Sequence, residues 1–314
     1  MRRRILAVLG PTASGKSALG LALAERYDGE IINCDSTAVY RGFDIGTDKL
    51  SDSARRGIPH HLIDIAEPTA VYTAAEFAAD AAAAVRAIHA RNRLPILVGG
   101  TGFYYRALTR GLFPGPGADP ELRARLNAVA DRRGAERLHR WLRRVDPASA
   151  ARIMPRDRMR LVRALEVYLA TGRPLTSHFA ATRSPIEDCD VTAVALVLPP
   201  ALTAERVQRR VDEQFARGVV DEVRRLLTSG VPEDARPFGG LVYRQVMEML
   251  KGVRHEAATR ALITQENRRY ARRQLIWFRK VPNLMWFNGP GESPETLRRV
   301  GDALDVLKRQ TSLD

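Results

Sequence analysis

The chain has 314 residues, 45% of them apolar, enough for one large domain or two modest ones with a sizeable core. No stretch approaches about eighteen uninterrupted apolar residues, which excludes an ordinary membrane-spanning helix, and Cys34 and Cys189 are the only cysteines, which excludes a disulfide framework and fits the cytoplasm. Fifty Lys and Arg against thirty-six Asp and Glu leave a formal charge of +14. That excess points to a polyanionic partner such as nucleic acid, or merely to codon usage rich in Arg and Ala; only the placement of the arginines separates the two.

Met1-Arg2-Arg3-Arg4 followed by Ile5 to Leu9 has the outline of a signal peptide, but the apolar run is only five residues long and leads straight into Gly10-Pro11-Thr12-Ala13-Ser14-Gly15-Lys16-Ser17. The run predicts a buried parallel strand over 5–9, and 17–27 reads as the helix after it. Between them stands the spacing G-x-x-x-x-G-K-S, the phosphate loop. In such a loop backbone N–H groups converge on phosphate oxygens and glycines let the backbone approach. The helix that follows points its positive end at the same anion. Lys16 adds a mobile charge, and the Ser17 hydroxyl suits a phosphate-bound Mg²⁺.

Residues 30–34 predict a second strand ending in Asp35-Ser36, at the carboxyl edge where open α/β sheets place ligands. Asp35 is there a candidate general base or water-mediated Mg²⁺ ligand, or else a turn former. Thr73-Ala74-Ala75-Glu76 is a capping box opening a helix to about Ala90 with Phe77, Ala81, Val85 and Ile88 as its apolar stripe. Residues 94–98 make a further strand, ending at Gly99-Gly100-Thr101-Gly102, which brings backbone and a hydroxyl to the crevice. His60-His61, on opposite faces of an extended segment, read as structural.

The alternation breaks at Phe113-Pro114-Gly115-Pro116-Gly117. Helical segments near 119–132, 134–144, 147–153 and 157–170 follow without a strand, so 118–190 is expected to be a helical insertion in a core formed by 1–117 and 191–314. A strand over 191–197 resumes the sheet. One long helix is expected over 203–227, with Val207, Val211, Phe215, Val223 and Leu227 inward, another over 256–279, and a last strand near 283–287. The predicted fold is α/β: a parallel sheet of the P-loop NTPase type, helices on both faces, plus a small all-helical insertion.

Arg206 and Arg210, one turn apart, form either a clamp on a pyrophosphate opposite the loop or a solvated basic face. Arg160 and Arg163 lie one turn apart in the insertion. Arg268, Arg269, Arg272, Arg273 and Arg279 crowd the late helix around Tyr270, Gln274 and Trp277, a pattern suited to a nucleic-acid backbone with stacking capacity. No strand with the terminal Asp of a motor or signalling NTPase is evident. A nucleotide or small-molecule kinase, and an NTPase that binds nucleic acid, remain alternatives on these residues alone.

Taken together, GPTASGKS (10–17), DSTAVYRGFDIGTDK (35–49), PHHLID (59–64), LVGGTGFYYRAL (97–108), RLVRALEVY (160–168) and RRYARRQLIWFRK (268–280) resemble the tRNA dimethylallyltransferase, or tRNA isopentenyltransferase, family over nearly the whole chain. The resemblance implies transfer of the dimethylallyl group of dimethylallyl diphosphate to N6 of the adenosine 3′ of a tRNA anticodon, with release of pyrophosphate. It implies Asp35 as general base, Arg210 as the group neutralising the leaving pyrophosphate, and Thr101 as the hydroxyl where the two substrates meet. Gly10, Thr12, Ala13, Ser14, Gly15, Lys16 and Ser17, with Arg206, match the diphosphate site, and Mg²⁺ sits near Ser17. A flipped-out base is read by Asp35, Ser36, Thr37, Ala38 and Thr101. Arg123, the run Met159, Arg160, Leu161, Val162 and Arg163, then Tyr243, Arg244, Arg272, Arg273, Gln274, Trp277 and Arg279 match positions that contact the anticodon stem-loop. A cytoplasmic monomer without membrane attachment is implied. The family commonly has Gln at Ala38, Gly at Val242 and Pro at Leu50, and the Cys/His set of its eukaryotic zinc finger is missing, as in bacterial members.

Overall fold

The apolar run after the basic start forms the centre of a strand because it is buried on both sides. In the computed structural model, which describes residues 3–113 and 115–310, this strand is β1 (Arg3–Leu9), and Ile5 to Leu9 are all buried. Met1, Arg2, Pro114 and 311–314 lie outside the described residues, and with them the first two residues of the leader-like start and one proline of the predicted break. The chain divides into two compact units, Met1–Thr109 with Pro185–Asp314, and Arg110–Ser184.

In the first unit β1 leads through the glycine loop into α1 (Lys16–Tyr27). Then come β2 (Gly29–Cys34), the two-residue β3 (His60–His61), α2 (Ala74–Ala90), β4 (Leu94–Gly99) and α3 (Gly102–Arg110). The helical unit carries α4 (Pro120–Arg133), α5 (Ala135–Val145), α6 (Pro147–Arg152), α7 (Arg158–Thr171) and the single turn α8 (Leu175–His178). The first unit resumes with β5 (Cys189–Val197), α9 (Pro200–Ala216), α10 (Val219–Thr228), α11 (Leu241–Leu250), α12 (Glu256–Phe278), β6 (Met285–Asn288) and α13 (Pro294–Gln310).

The six strands form one sheet in the order β3-β2-β4-β1-β5-β6, every pairing parallel, as the alternation of strands and helices predicts. Alternate residues of β1 go to opposite faces. Ile5, Ala7 and Leu9 join a large core with Phe77, Ala81, Val85 and Ile88 of α2 and with residues of α9 to α12, while Leu6 and Val8 join Leu19, Leu21 and Leu23 of α1 and Val300 of α13. The switch of neighbour at β1, which has β4 on one side and β5 on the other, opens a crevice at the carboxyl edge, where the glycine loop sits.

The expected long helix over 203–227 is two helices. Gly218 takes φ +88°, a left-handed conformation that ends α9 and opens α10. The inward stripe still holds through Val207, Val211, Phe215 and Val223. Helices α3, α11 and α13 and the short β3 were not read from the sequence. The Thr73 capping box is present in full, with Glu76 N donating to Thr73 Oγ1 at 3.2 Å and Thr73 N to Glu76 Oε2 at 2.7 Å.

The helical unit has its own core, built on Leu126, Leu138, Leu142, Leu161 and Leu165. Asp119 and Asp157 cap α4 and α7. Glu166 is fully buried and accepts hydrogen bonds from Arg123 Nε at 2.9 Å, Arg163 at 2.7 Å and Asp119 N at 2.7 Å. Burial alone would raise its pKa; the bonds from Arg123, Arg163 and Asp119 N outweigh it and hold the carboxyl below the usual range. Because the folded value is the lower one, this stabilisation is present above the ordinary Glu pKa and is lost as pH falls through the depressed value. Glu166→Ala leaves two guanidiniums without their shared anion and should destabilise the protein by about 3 kcal/mol in denaturant unfolding at neutral pH. Repeating the unfolding in acid should shrink the difference from wild type, and a pH-independent difference would contradict the assignment.

Candidate active site

The glycine loop leaves β1 in a backbone path that side chains resist. Gly10 has φ +151° and Gly15 φ +84°, and a Cβ at Gly15 would lie 2.6 Å from Gly291 N. Gly291 N donates to Ser14 O at 2.9 Å, so the turn after β6 braces the loop. The N-terminus of α1 has no side-chain cap, and its free N–H groups suit an anion. Ser14 Oγ is buried without a hydrogen-bond partner. Lys16 Nζ rests on Pro11 O at 3.1 Å. Burial, and next the charge of Arg210, lower the Lys16 pKa to about 8.

Arg210 reaches the loop from α9. Its NH1 donates to Thr12 Oγ1 at 2.5 Å and its Nε pairs with Asp48. Asp48 also accepts from Gln214 Nε2 at 2.6 Å and Arg217 NH1 at 3.2 Å, which sets the guanidinium beside the loop before any anion arrives. The segment carrying Asp48 is itself held. Buried Glu222 accepts from Asp44 N, Ile45 N and the Tyr243 hydroxyl, the last at 2.5 Å. The sequence offered only the motif around Asp48; its partners come from helices more than 150 positions away, so its role is a tertiary fact.

Asp35 follows β2. Its Oδ1 accepts from Thr37 N at 2.9 Å and Thr37 Oγ1 at 2.6 Å, while Oδ2 takes no hydrogen bond among the described residues. One oxygen is fixed and the other is open. Thr101 N donates to Cys34 O at 3.1 Å and its Oγ1 accepts from Ser36 N at 3.1 Å, so Thr101 aligns the Asp35-Ser36 turn against the end of β4.

These residues meet at a cleft of about 530 Å³ whose walls include Thr12, Lys16, Asp35, Arg210, Tyr270 and Gln274. A smaller cavity of about 130 Å³ adjoins it through Lys16, Asp35 and Arg210, and is lined further by Ser17, Asp48 and the apolar Ile31, Leu50, Ile63 and Val98. Helix α12 forms one wall. Gln274 is buried there; its Oε1 accepts from Thr12 N at 2.8 Å and its Nε2 donates to Gly100 O at 2.9 Å. Arg273 stands 5.7 Å from the centre of the Tyr270 ring. Burial and then Asp35 push the Tyr270 hydroxyl up to about 12.

Several expected contacts are corrected by burial. Leu161 and Val162, 0% and 5% exposed, belong to the core of the helical unit, and Tyr243, 1% exposed, is bound to Glu222, so these side chains are committed to the interior. Ala38 is buried as well. Gln274 braces the glycine loop and has only one N–H left for a ligand. Arg206 does not face the cleft: its Nε donates to Ala13 O at 2.7 Å and its NH1 pairs with Glu292 at 2.5 Å, so it supports the loop from outside. Arg123 and Arg163 hold Glu166. Trp277 packs against Gly102, where a Cβ would lie 2.3 Å from its ring. Met159, Arg160, Arg244, Arg272, Arg273 and Arg279 are exposed. The sequence reading missed Asp48, Gln214, Glu222, Glu292 and Asn267.

The family model described as IPP transferase matches residues 38–281. The chain is 46% identical over 299 residues, 95% of its length and 97% of the relative's, to the tRNA dimethylallyltransferase of Geobacter metallireducens. It is 46% identical over 291 residues to that of Solibacter usitatus, covering 93% of this chain and 94% of the relative. The full-length tRNA isopentenylpyrophosphate transferase of Bacillus halodurans superposes with a TM-score of 0.74 at 33% identity, covering 99% of both chains. A eukaryotic dimethylallyltransferase captured acting on tRNA has the same fold, with a TM-score of 0.75 at 24% identity over 91% of this chain and 74% of its own.

The Lys16 value has a measurable consequence. An anion in the loop raises the lysine's pKa, so affinity is full below about pH 8 and falls with rising pH until the bound form also deprotonates, by up to about tenfold per unit. Titration calorimetry with inorganic pyrophosphate from pH 7 to 9.5 should show this fall in wild type relative to Lys16→Ala, in which only the ligand's own ionisation remains. Parallel curves for the two proteins would contradict it.

Proposed function

The chain belongs to the IPP transferase family, and on that premise we propose how its cleft carries out prenyl transfer. The protein moves a dimethylallyl group from dimethylallyl diphosphate to a tRNA, and the acceptor atom in this reading is N6 of the adenosine 3′ of the anticodon. The observation that carries the reading is the convergence of Asp35, Lys16 and Arg210 on one cleft walled by an arginine-bearing helix. The two cavities suit two substrates that meet at Asp35: a diphosphate at the loop with its prenyl chain toward Ile31, Leu50 and Ile63, and a flipped-out base in the larger cleft.

The N6 lone pair forms a bond to C1 of the prenyl group as the C1–O bond to pyrophosphate breaks. N6 becomes acidic only as it gains positive charge, and the open Oδ2 of Asp35 takes the proton then. Negative charge grows on the departing oxygen, where the loop N–H groups, Lys16 and Arg210 stand ready without reorganising. Arg206 contributes by holding the loop's shape. Thr101 orients the Asp35-Ser36 turn, and the exposed Arg272, Arg273 and Arg279 at the end of α12 supply in this reading the cations for phosphates of the anticodon stem-loop; Arg160, exposed on the helical unit, is a further candidate contact.

No group of three His, Cys, Asp or Glu among the described residues is arranged to hold a metal. The donors at hand are hard oxygens, the exposed Ser17 hydroxyl together with Asp35 and Asp48 in the same cavity, and with diphosphate oxygens they suit Mg²⁺. Such an ion, held by Ser17 and the diphosphate, would supply further charge neutralisation. The reading extends to a cytoplasmic monomer.

Incubation with labelled dimethylallyl diphosphate and unmodified tRNA should place label in the tRNA and release one pyrophosphate per label. Phosphate transfer or release from ATP, with no label in tRNA, would overturn the reading. Asp35→Ala should lower kcat by about 10²- to 10⁴-fold while tRNA binding by filter retention stays within about twofold. Equal losses in both would remove Asp35 as the base.

A further inference from the structure

Helix α12 turns Asn267, Tyr270 and Gln274 toward the cleft, at positions i, i+3 and i+7 of one face. The two amides on this face are in opposite states. Gln274 grips backbone with both ends. Asn267 is only 8% exposed, lines the cleft, and makes no hydrogen bond through either end of its amide among the described residues. Nor is it among the polar atoms sealed without a partner in the interior, so the amide opens onto the cleft.

A carboxamide held nine-tenths buried, without a protein partner among the described residues and open only onto the cleft, has its hydrogen-bonding capacity directed at whatever the cleft holds, solvent or ligand. Its neighbours do not explain it. Glu266 is engaged by Arg244 at 3.1 Å and Gln245 at 3.2 Å, and the Thr47 hydroxyl by Phe43 O at 2.5 Å. Anions in the cleft have Arg210 and Arg273 to meet them. A neutral group offering one donor and one acceptor side by side instead suits a ligand edge with the same pair reversed.

Adenine has such an edge: its amine donates next to a ring nitrogen that accepts, whereas the guanine O6/N7 edge presents two acceptors. We infer that Asn267 is a specificity-determining residue that reads the accepting adenine, its Oδ1 taking the N6 hydrogen that the product keeps and its Nδ2 donating to the adjacent ring nitrogen. This rests on the prenyl-transfer reading above. Asp35 and Asn267 then divide the two hydrogens of the amine. One leaves with the proton, the other is held, and the lone pair is aimed at the prenyl carbon.

The test uses full-length protein and anticodon stem-loops carrying adenosine, 7-deazaadenosine or 1-deazaadenosine at the acceptor position. Wild type on the adenosine loop is the control for the reading itself; no product there overturns both the reading and the inference. With product formed, Asn267→Ala and the shape-preserving Asn267→Asp should each lower kcat/KM about 10- to 100-fold on adenosine. Wild type should lose the part of this factor that belongs to the ring-nitrogen bond on one of the two deaza loops, and passing from adenosine to that loop should cost the variants nothing more, because donor and acceptor of that one bond are then both gone. Wild-type rates in both variants, or losses that multiply on both deaza loops, would overturn the inference. So would a loss in Asn267→Ala with Asn267→Asp at the wild-type rate, which marks packing alone.

Discussion

The glycine loop keeps an anion-binding shape because Gln274 holds it. One amide side chain joins Thr12 N on the loop to Gly100 O at the end of β4, across 262 positions of sequence on one side and 174 on the other. A loop of this kind works by pointing several N–H groups inward, and its outward polar groups must be satisfied elsewhere. Gln274 takes one, Arg206 takes Ala13 O, and Gly291 N takes Ser14 O. The same helix that supplies Gln274 also lines the substrate cleft and carries the arginine-rich outer surface. Loop shape, cleft wall and exposed positive charge therefore rest on the packing of a single element.

Electrostatics at the loop are arranged in advance. Arg210 is paired with Asp48 and Thr12, Arg206 with Glu292, and Lys16 leans on a carbonyl with its pKa already lowered to about 8. Cations crowded without counter-charges would repel one another and draw the nearby carboxylates into themselves. Partners set behind them let each keep one direction open. Asp35 follows the same pattern, with Oδ1 tied to Thr37 and Oδ2 without a hydrogen bond among the described residues. Preorganisation of this sort lowers the barrier because nothing turns as charge shifts from nucleophile to leaving group.

The +14 charge divides by location. In the helical unit Arg123 and Arg163 converge on buried Glu166, and Arg158 on Asp131 and Asn127; these arginines build the fold. Those of the late helix, Arg268, Arg269, Arg272 and Arg273, are exposed and make no ion pair among the described residues. Composition could not tell a structural arginine from a free one. A guanidinium looks the same in sequence whether its carboxylate lies three residues away or forty-three.

Local patterns determined much of this protein. The alternation of apolar runs and capped helices marked out the parallel sheet, the capping box opened α2, and the spacing of Gly10, Gly15 and Lys16 placed an anion site at the end of β1, since a strand, a tight turn and a helix start suffice for it. Asp35 was legible as a carboxylate at a strand end. Tertiary structure decided which side chains face the cleft. Leu161, Val162 and Tyr243 sit in motifs that resemble contact sites yet are buried, and Gln274 and Arg206 became braces because their partners arrive from distant strands and turns. Asp48 and Asn267 carried no signal of their own. The significance of Asp48 is a guanidinium delivered by α9, and that of Asn267 is a buried place on the cleft wall with no hydrogen-bond partner among the described residues. Both are properties of neighbours, and a chain acquires neighbours only by folding.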